Sequence, residues 1–245
     1  MNAELSWALS ALCVVVAAVV RGLTGFGFAA IAVVGLAMLG SLRDAVPVVL
    51  CLEVASSVML LRSAIAEADY RLLRRVLLAA ACGVPLGIGV LTGLNSDWLS
   101  LGVYLLVAAL ALLGLARVAL PMGRGPLAAI LVGGSSGALI AAFSIGGPLV
   151  VAWLSHCGLR ARVLRATLIM FFFAVDLAAL AGLALAQAIG PQAPRQALAL
   201  LLPLLLGLGL GQRLFLRIGP EPAARITQWL LLALAGFGLL GRAWS

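Results

Sequence analysis

The sequence predicts an all-α polytopic membrane protein of two inverted repeats, each a glycine-broken helical pair followed by three transmembrane helices. Three observations predict it: the composition, a glycine-rich interruption at corresponding places in both halves, and the distribution of arginines. The chain of 245 residues is 64% hydrophobic and only 10% charged, with a mean hydropathy of +1.23. A soluble domain of that composition would leave much of its exterior as bare hydrocarbon, so the apolar surface belongs in a bilayer. The expected organisation is a single transmembrane domain over 1–245. One repeat covers about 1–120 and the other about 125–245, joined by Pro121-Met122-Gly123-Arg124-Gly125-Pro126.

Apolar runs fall at about 5–20, 26–40, 45–61, 76–94, 98–116, 126–143, 145–157, 163–186, 196–212 and 223–241. A spanning helix needs about 20 apolar residues, and the runs 26–40 and 145–157 are too short to span alone. Each follows a longer run across a glycine-rich joint. The pair forms either a re-entrant hairpin or two thin crossings. Met1-Asn2-Ala3-Glu4 lacks the positive start of a secretory signal, so the first run is expected to remain as a helix of the protein.

The halves align with each other. A shift of 119 residues carries Gly27 onto Gly146 and Ser57 onto Asp176. A shift of 124 carries Gly83, Gly87 and Gly114 onto Gly207, Gly211 and Gly238. If each broken pair is a hairpin or two crossings, the loops sort their arginines sharply. One side receives Arg62, Arg71, Arg74, Arg75, Arg117, Arg124, Arg160, Arg162, Arg165, Arg213, Arg217 and Arg225. The other receives Arg43, Arg195 and Arg242, with Arg21 at the joint. That bias marks the first side as cytoplasmic and places both termini outside, in the periplasm of a cell with an inner membrane. An odd number of crossings per half makes the repeats inverted, an arrangement found in many secondary transporters.

Other classes fall away. All sixteen basic residues are arginine, but no basic stretch is long or interleaved with aromatics as nucleic-acid binding requires. Cys13, Cys51, Cys82 and Cys157 show no C-x-x-C spacing, and His156 is the only histidine. Neither a disulfide framework, a metal site nor a cofactor motif is indicated. Gly207-Leu208-Gly209-Leu210-Gly211 follows no strand, so it is not a dinucleotide loop. Its Gly207/Gly211 spacing, like Gly83/Gly87, suits close helix packing. Trp7, Trp98, Trp153, Trp229 and Trp244 fall mostly near segment ends, where interfacial aromatics belong.

The interruptions carry the chemistry. The first reads Arg21-Gly22-Leu23-Thr24-Gly25-Phe26-Gly27-Phe28-Ala29. The second reads Gly133-Gly134-Ser135-Ser136-Gly137 and then Ala142-Phe143-Ser144-Ile145-Gly146-Gly147-Pro148. Broken backbone at membrane depth persists only where protein or a wet cavity satisfies it. A helix start offers free amides and the positive end of a dipole, so it can hold an anion without lysine. The substrate-binding candidates are therefore Thr24, Gly25, Gly27, Ser144, Gly146 and Gly147, with Pro148 in the first turn of the following helix. Helix packing is the competing reading of each motif alone; the recurrence in both halves favours a site.

Glu53 and Asp176 lie inside apolar segments, where a carboxylate costs about 2.5–3.5 kcal/mol on insertion scales. They are either proton-coupling or gating groups, or acids hydrogen-bonded for packing. They are not repeat mates. Arg165 is the third candidate for coupling or gating, at the cytoplasmic mouth, unless like Arg160 and Arg162 it only marks topology. Arg21 either attracts an anion or extends to the interface. His156 is read as an interfacial histidine.

The chain resembles the TauE/SafE family of sulfite exporters and related membrane transporters. The resemblance rests on Gly22-Leu23-Thr24-Gly25-Phe26-Gly27, on Ser144-Ile145-Gly146-Gly147-Pro148, on Leu159 to Thr167, and on Leu206 to Phe215. It departs from the glycine-rich form of the motif at Phe28 and Ala29. The resemblance implies a two-repeat carrier of small anions such as sulfite or organosulfonates, with Gly25, Gly27, Gly146 and Gly147 as motif glycines. The expected function is therefore secondary transport of a small anion by alternating access, at a mid-membrane site, with proton or cation coupling. A non-transporting membrane scaffold is the alternative. An intramembrane enzyme is third, since no histidine cluster, metal constellation or nucleophile motif is present.

Overall fold

The computed structural model describes residues 3–24, 27–115, 125–218, 229–238 and 240. Gly25, the linker from Pro121 to Arg124, and Arg117, Arg225, Arg242 and Trp244 lie outside the described residues. The chain forms α1 (Ala3–Thr24), α2 (Phe28–Leu39), α3 (Leu42–Glu67), α4 (Tyr70–Gly93), α5 (Ser96–Leu115), α6 (Pro126–Phe143), α7 (Gly147–His156), α8 (Ala161–Leu185) and α9 (Ala193–Ile218). A short apolar helix, α10, covers Trp229–Gly238. No strand occurs among the described residues.

Among the described residues, six helical stretches are long and apolar enough to cross a membrane: Glu4–Leu23, Leu42–Arg62, Tyr70–Gly93, Pro126–Phe143, Ala161–Leu185 and Ala193–Leu214. At about 1.5 Å per residue, the 12 residues of α2 reach about 18 Å, and the 10 of α7 about 15 Å. A hydrocarbon core is about 30 Å thick, so both are short, as the sequence predicts. Leu78, Leu86, Leu185 and Leu198 project from their helices more than two-thirds exposed. In water that would be a liability; in lipid it is the ordinary outer face of a bundle.

The starts of the helices are written in the sequence. Ser41 and Asp44 cap α3: the Asp44 amide donates to Ser41 Oγ at 3.2 Å, and the Ser41 hydroxyl donates to Asp44 Oδ2 at 2.6 Å. Asp69 Oδ1 accepts from the amides of Arg71 and Leu72, both at 3.0 Å, and so begins α4. Asn95 Oδ1 does the same for α5 through the Trp98 amide at 3.0 Å. Pro126 opens α6, where a missing amide costs nothing.

The residues divide into two compact units. The first comprises 1–49, 94–118 and 191–245, and the second 50–93 and 119–190. In the first, α1 lies along α9 and also touches α2, while α2 touches α5. In the second, α4 lies along α6 and against α8, and α6, α7 and α8 contact one another. Each long seam therefore joins one helix from each half of the chain.

Glycines make both seams. A Cβ at Gly207 would lie 2.6 Å from Val15 O, and one at Gly211 would collide with Val19 O and sit 2.9 Å from Gly22 Cα. In the second unit, a Cβ at Gly83 would collide with Gly134 O. One at Gly87 would collide with Ala138 O and sit 2.8 Å from Ala141 Cβ. Shifting Val15, Val19 and Gly22 by 119 gives Gly134, Ala138 and Ala141; shifting Gly83 and Gly87 by 124 gives Gly207 and Gly211. The two seams are the same contact made twice. Without a hydrophobic force between helices in lipid, such close backbone approach supplies the attraction.

Two sequence expectations change here. Gly133 to Gly137 do not interrupt the second segment; they lie within uninterrupted α6. A Cβ at Gly133 would collide with Val76 O and one at Gly137 with Ala80 O, so these glycines admit α4 rather than break a helix. Trp153, expected at an interface, is 1% exposed inside α7.

Candidate functional site

The break in the second half lies at Ser144 to Gly146. α6 ends at Ser144, which adopts the left-handed conformation with φ 58° and ψ 13°. For a residue with a side chain that conformation costs about 1–2 kcal/mol. The Ser144 amide donates to Ile140 O at 2.7 Å and the Ile145 amide to Leu139 O at 3.3 Å, so α6 closes its own carbonyl end. The start of α7 is left open. Gly146 is its N-cap and makes no side-chain cap, and Pro148 in the first turn has no amide to satisfy. The amides of Gly146, Gly147 and Leu149 thus form the positive end of the α7 dipole.

Packing holds this helix start in place. A Cβ at Gly146 would collide with Ser136 O and lie 2.6 Å from Ile140 Cγ1, so only glycine lets the backbone rest on α6. A Cβ at Gly147 would lie 3.2 Å from Phe172 Cζ on α8. Phe172 packs edge-to-face on Phe171, with centroids 5.7 Å apart. Asp176 is one turn beyond Phe172, on the same face of α8, and is 3% exposed. The helix start therefore has α6 on one side and the acid-bearing face of α8 on another.

Ser136 was missing from the candidates. Its side chain is fully buried, and its Oγ has no hydrogen-bond partner among the described residues. Helical hydroxyls normally bond the carbonyl one turn back, as Ser135 does to Leu131 O at 2.6 Å. Thr167 does the same to Val163 O at 2.7 Å. A buried hydroxyl left unmade costs about 1–3 kcal/mol. The available signal was the Ser135-Ser136 pair inside the glycine run.

The second unit collects most of the buried polar side chains. Glu53, Ser56, Ser57, Ser136, Ser144, Thr167 and Asp176 are each no more than 5% exposed there. Glu53 and Ser57 stand one turn apart on α3, and Ser56 Oγ donates to Glu53 O at 2.8 Å. Ser144, Gly146, Gly147, Glu53, Asp176 and Arg165 thus share one unit. Arg165 stands away from the break: it is exposed near the start of α8, seven residues or about 10 Å of helix rise from Phe172. Among the described residues no three His, Cys, Asp or Glu side chains gather as a metal-holding group.

The remaining candidates lie in the first unit. Thr24 ends α1, and Gly27 is the N-cap of α2 with φ 90°, a left-handed value that glycine adopts without strain. α2 likewise starts without a side-chain cap. Arg21, in the last turn of α1, is 4% exposed.

The sulfite exporter TauE/SafE family matches residues 10–238, nearly the whole chain. The chain belongs to the TauE/SafE family. This TauE/SafE member is thus a multi-pass membrane protein of a transporter family. No curated protein and no solved structure gives a match.

Proposed function

We propose that this TauE/SafE protein is a secondary transporter of small anions, of the sulfite or organosulfonate type, working by alternating access in an inner membrane. The observation that carries the reading is the α6–α7 break. There an uncapped helix start of three open amides lies beside a buried hydroxyl that lacks a protein partner. An anion satisfies both at once, without a lysine or arginine that would bind it too tightly to release. Thr24, Gly25 and Gly27 in one repeat, and Ser144, Gly146 and Gly147 in the other, are the proposed substrate-binding residues. Ser136 adds a donor. Its repeat counterpart, by the shift of 119, is Ala17, so the two repeats contribute unequally.

The recurring seams, in which each half supplies one helix to each seam, support the inverted-repeat reading. Asp176, one turn from the residue that bounds Gly147, is the favoured proton-coupling acid, with Glu53 second. A carboxylate that gains and loses a proton as the anion binds and leaves makes the pair move as a neutral species. The arginine bias supports periplasmic termini.

The test is uptake into proteoliposomes. The wild-type protein is expected to move sulfite or a short sulfonate down an imposed gradient. Gly146→Leu, whose side chain has no room against Ser136 and Ile140, is expected to abolish uptake while the purified protein remains monodisperse. Transport by Gly146→Leu at the wild-type rate would remove the α7 start from the mechanism. A wild-type protein moving no sulfite, sulfonate or carboxylate under any gradient would favour the scaffold.

A further inference from the structure

In the second unit, the end of α3 and the start of α8 line a half-open cavity of about 200 Å³, whose α8 lining runs from Arg162 to Ile169, one turn before Phe172. Its floor is apolar: Leu60 and Ala64 from α3, Ala166 and Ile169 from α8. Its rim is charged, with Glu67, Arg162 and Arg165. Glu67 Oε1 and Arg162 Nε pair at 3.0 Å, which cancels one positive charge. Arg165 is one turn further along α8, on the same face as Arg162. It is exposed and makes no ion pair or hydrogen bond with the described residues. The rim therefore carries one uncompensated guanidinium above a hydrocarbon floor.

The charge count and the floor together select a ligand. A guanidinium fork matches the oxygens of a carboxylate, sulfonate or phosphodiester, and a net charge of one suits a monoanion. At about 30 Å³ per water-sized group, the cavity holds roughly six such groups, the size of a short aliphatic chain. The surrounding frame is fixed independently of any ligand. The Asp69 amide donates to Thr167 Oγ1 at 2.9 Å, tying the α3–α4 turn to α8. Ala64, Ala166 and Ile169 are buried against one another below it.

We propose that this cavity binds a monoanionic amphiphile, an acidic headgroup on a short aliphatic chain, with the headgroup on Arg165 and the chain on the α3–α8 floor. The site is distinct from the substrate residues at the helix break and stands whether or not those residues carry transport. Two sources share the chemistry: a free organic anion and the headgroup region of an anionic phospholipid.

The experiment uses full-length protein purified in an uncharged maltoside detergent. Methanesulfonate, butanesulfonate and hexanesulfonate are titrated by calorimetry, and retention of phosphatidylglycerol is read by native mass spectrometry. Affinity is expected to rise about fourfold per methylene until the floor is covered. It is expected to fall at least tenfold in Arg165→Gln and to hold in Arg71→Gln, an exposed arginine on α4 that does not line the cavity. Glu67→Gln releases Arg162 and is expected to raise affinity for ethanedisulfonate, a dianion, at least tenfold. Phosphatidylglycerol retained by wild type and lost in Arg165→Gln, with no sulfonate binding, assigns the same site to the lipid. Sulfonate affinity and lipid retention both unchanged in Arg165→Gln would overturn the proposal. Gly146→Leu is expected to remove sulfonate binding at the helix break and to keep the Arg165-dependent binding, so a failure of the transport reading is seen separately.

Discussion

Ser136 is the residue at which the local rules of a helix and the needs of a site diverge. A serine in mid-helix has a carbonyl within reach one turn back, and Ser135 takes it; Ser136 does not. Replacing Ser136 with alanine removes a hydroxyl that the protein leaves unmet, so thermal unfolding of the ligand-free protein is expected to hold or rise by up to about 1 kcal/mol. The same change removes the donor proposed for the anion, a bond of about 1.5–3 kcal/mol. The apparent affinity for sulfite is therefore expected to fall about tenfold or more in a ligand-dependent thermal-shift titration. Lower stability with unaltered affinity would make Ser136 a packing residue. Ser136 was not legible in the sequence because composition shows a hydroxyl but not whether its own helix satisfies it. The break at Ser144 was legible, since a small polar residue before Gly146-Gly147-Pro148 is where a helix can both end and restart.

At the scale of the element, glycine has two uses that a sequence writes identically. Gly146 allows a helix to restart on another helix, and Gly133 and Gly137 allow one unbroken helix to lie close to its neighbour. The run at 133–137 therefore read as part of the break, and only the seam with α4 separates the two meanings. The late run Gly207-Leu208-Gly209-Leu210-Gly211 divides in the same way. A Cβ at Gly207 or Gly211 meets backbone of α1, whereas one at Gly209 meets nothing within 4 Å. Gly211→Ala is expected to cost about 1–3 kcal/mol through overpacking. Gly209→Ala is expected to be neutral or to stabilise by up to about 1 kcal/mol, the ordinary helix preference of alanine. Thermal unfolding of the two purified variants side by side checks this, and equal losses would contradict the seam. The helices themselves were legible throughout, because caps such as Ser41, Asp69 and Asn95 and the apolar run lengths are local properties. Which helices pair was not, because hydropathy says that a face is apolar but not what lies against it.

For the whole molecule, the arginine distribution makes a definite claim about orientation. In a variant with Cys13, Cys51, Cys82 and Cys157 replaced, single cysteines at Arg71 and Arg160 are expected to react with a membrane-impermeant maleimide only when the cytoplasmic face is opened. One at Asn95, in the joint before α5, is expected to react from the periplasm. Labelling of Arg71 and Arg160 positions from opposite faces would break the inverted-repeat reading, since both belong to the arginine-rich side. The recurrence of the two seams was legible from the shifts of 119 and 124, because Gly83, Gly87, Gly207 and Gly211 are held in place by backbone contact and have few substitutes.

The exchange of partners between the halves sets an order of assembly on the ribosome. α4 meets its partner as soon as α6 is made, a few tens of residues later. α1 must wait for α9, which ends at Ile218. At about 5–20 residues per second of synthesis, that wait is on the order of 10–40 s. Throughout it, the face of the first helix that receives Gly207 and Gly211 is inserted without its mate and open to whatever other small-residue helices the membrane holds. A chain released after its first half would contain neither seam. The two halves cannot mature as independent pieces, and a membrane chaperone or insertase would meet α1 long before the rest of its unit exists.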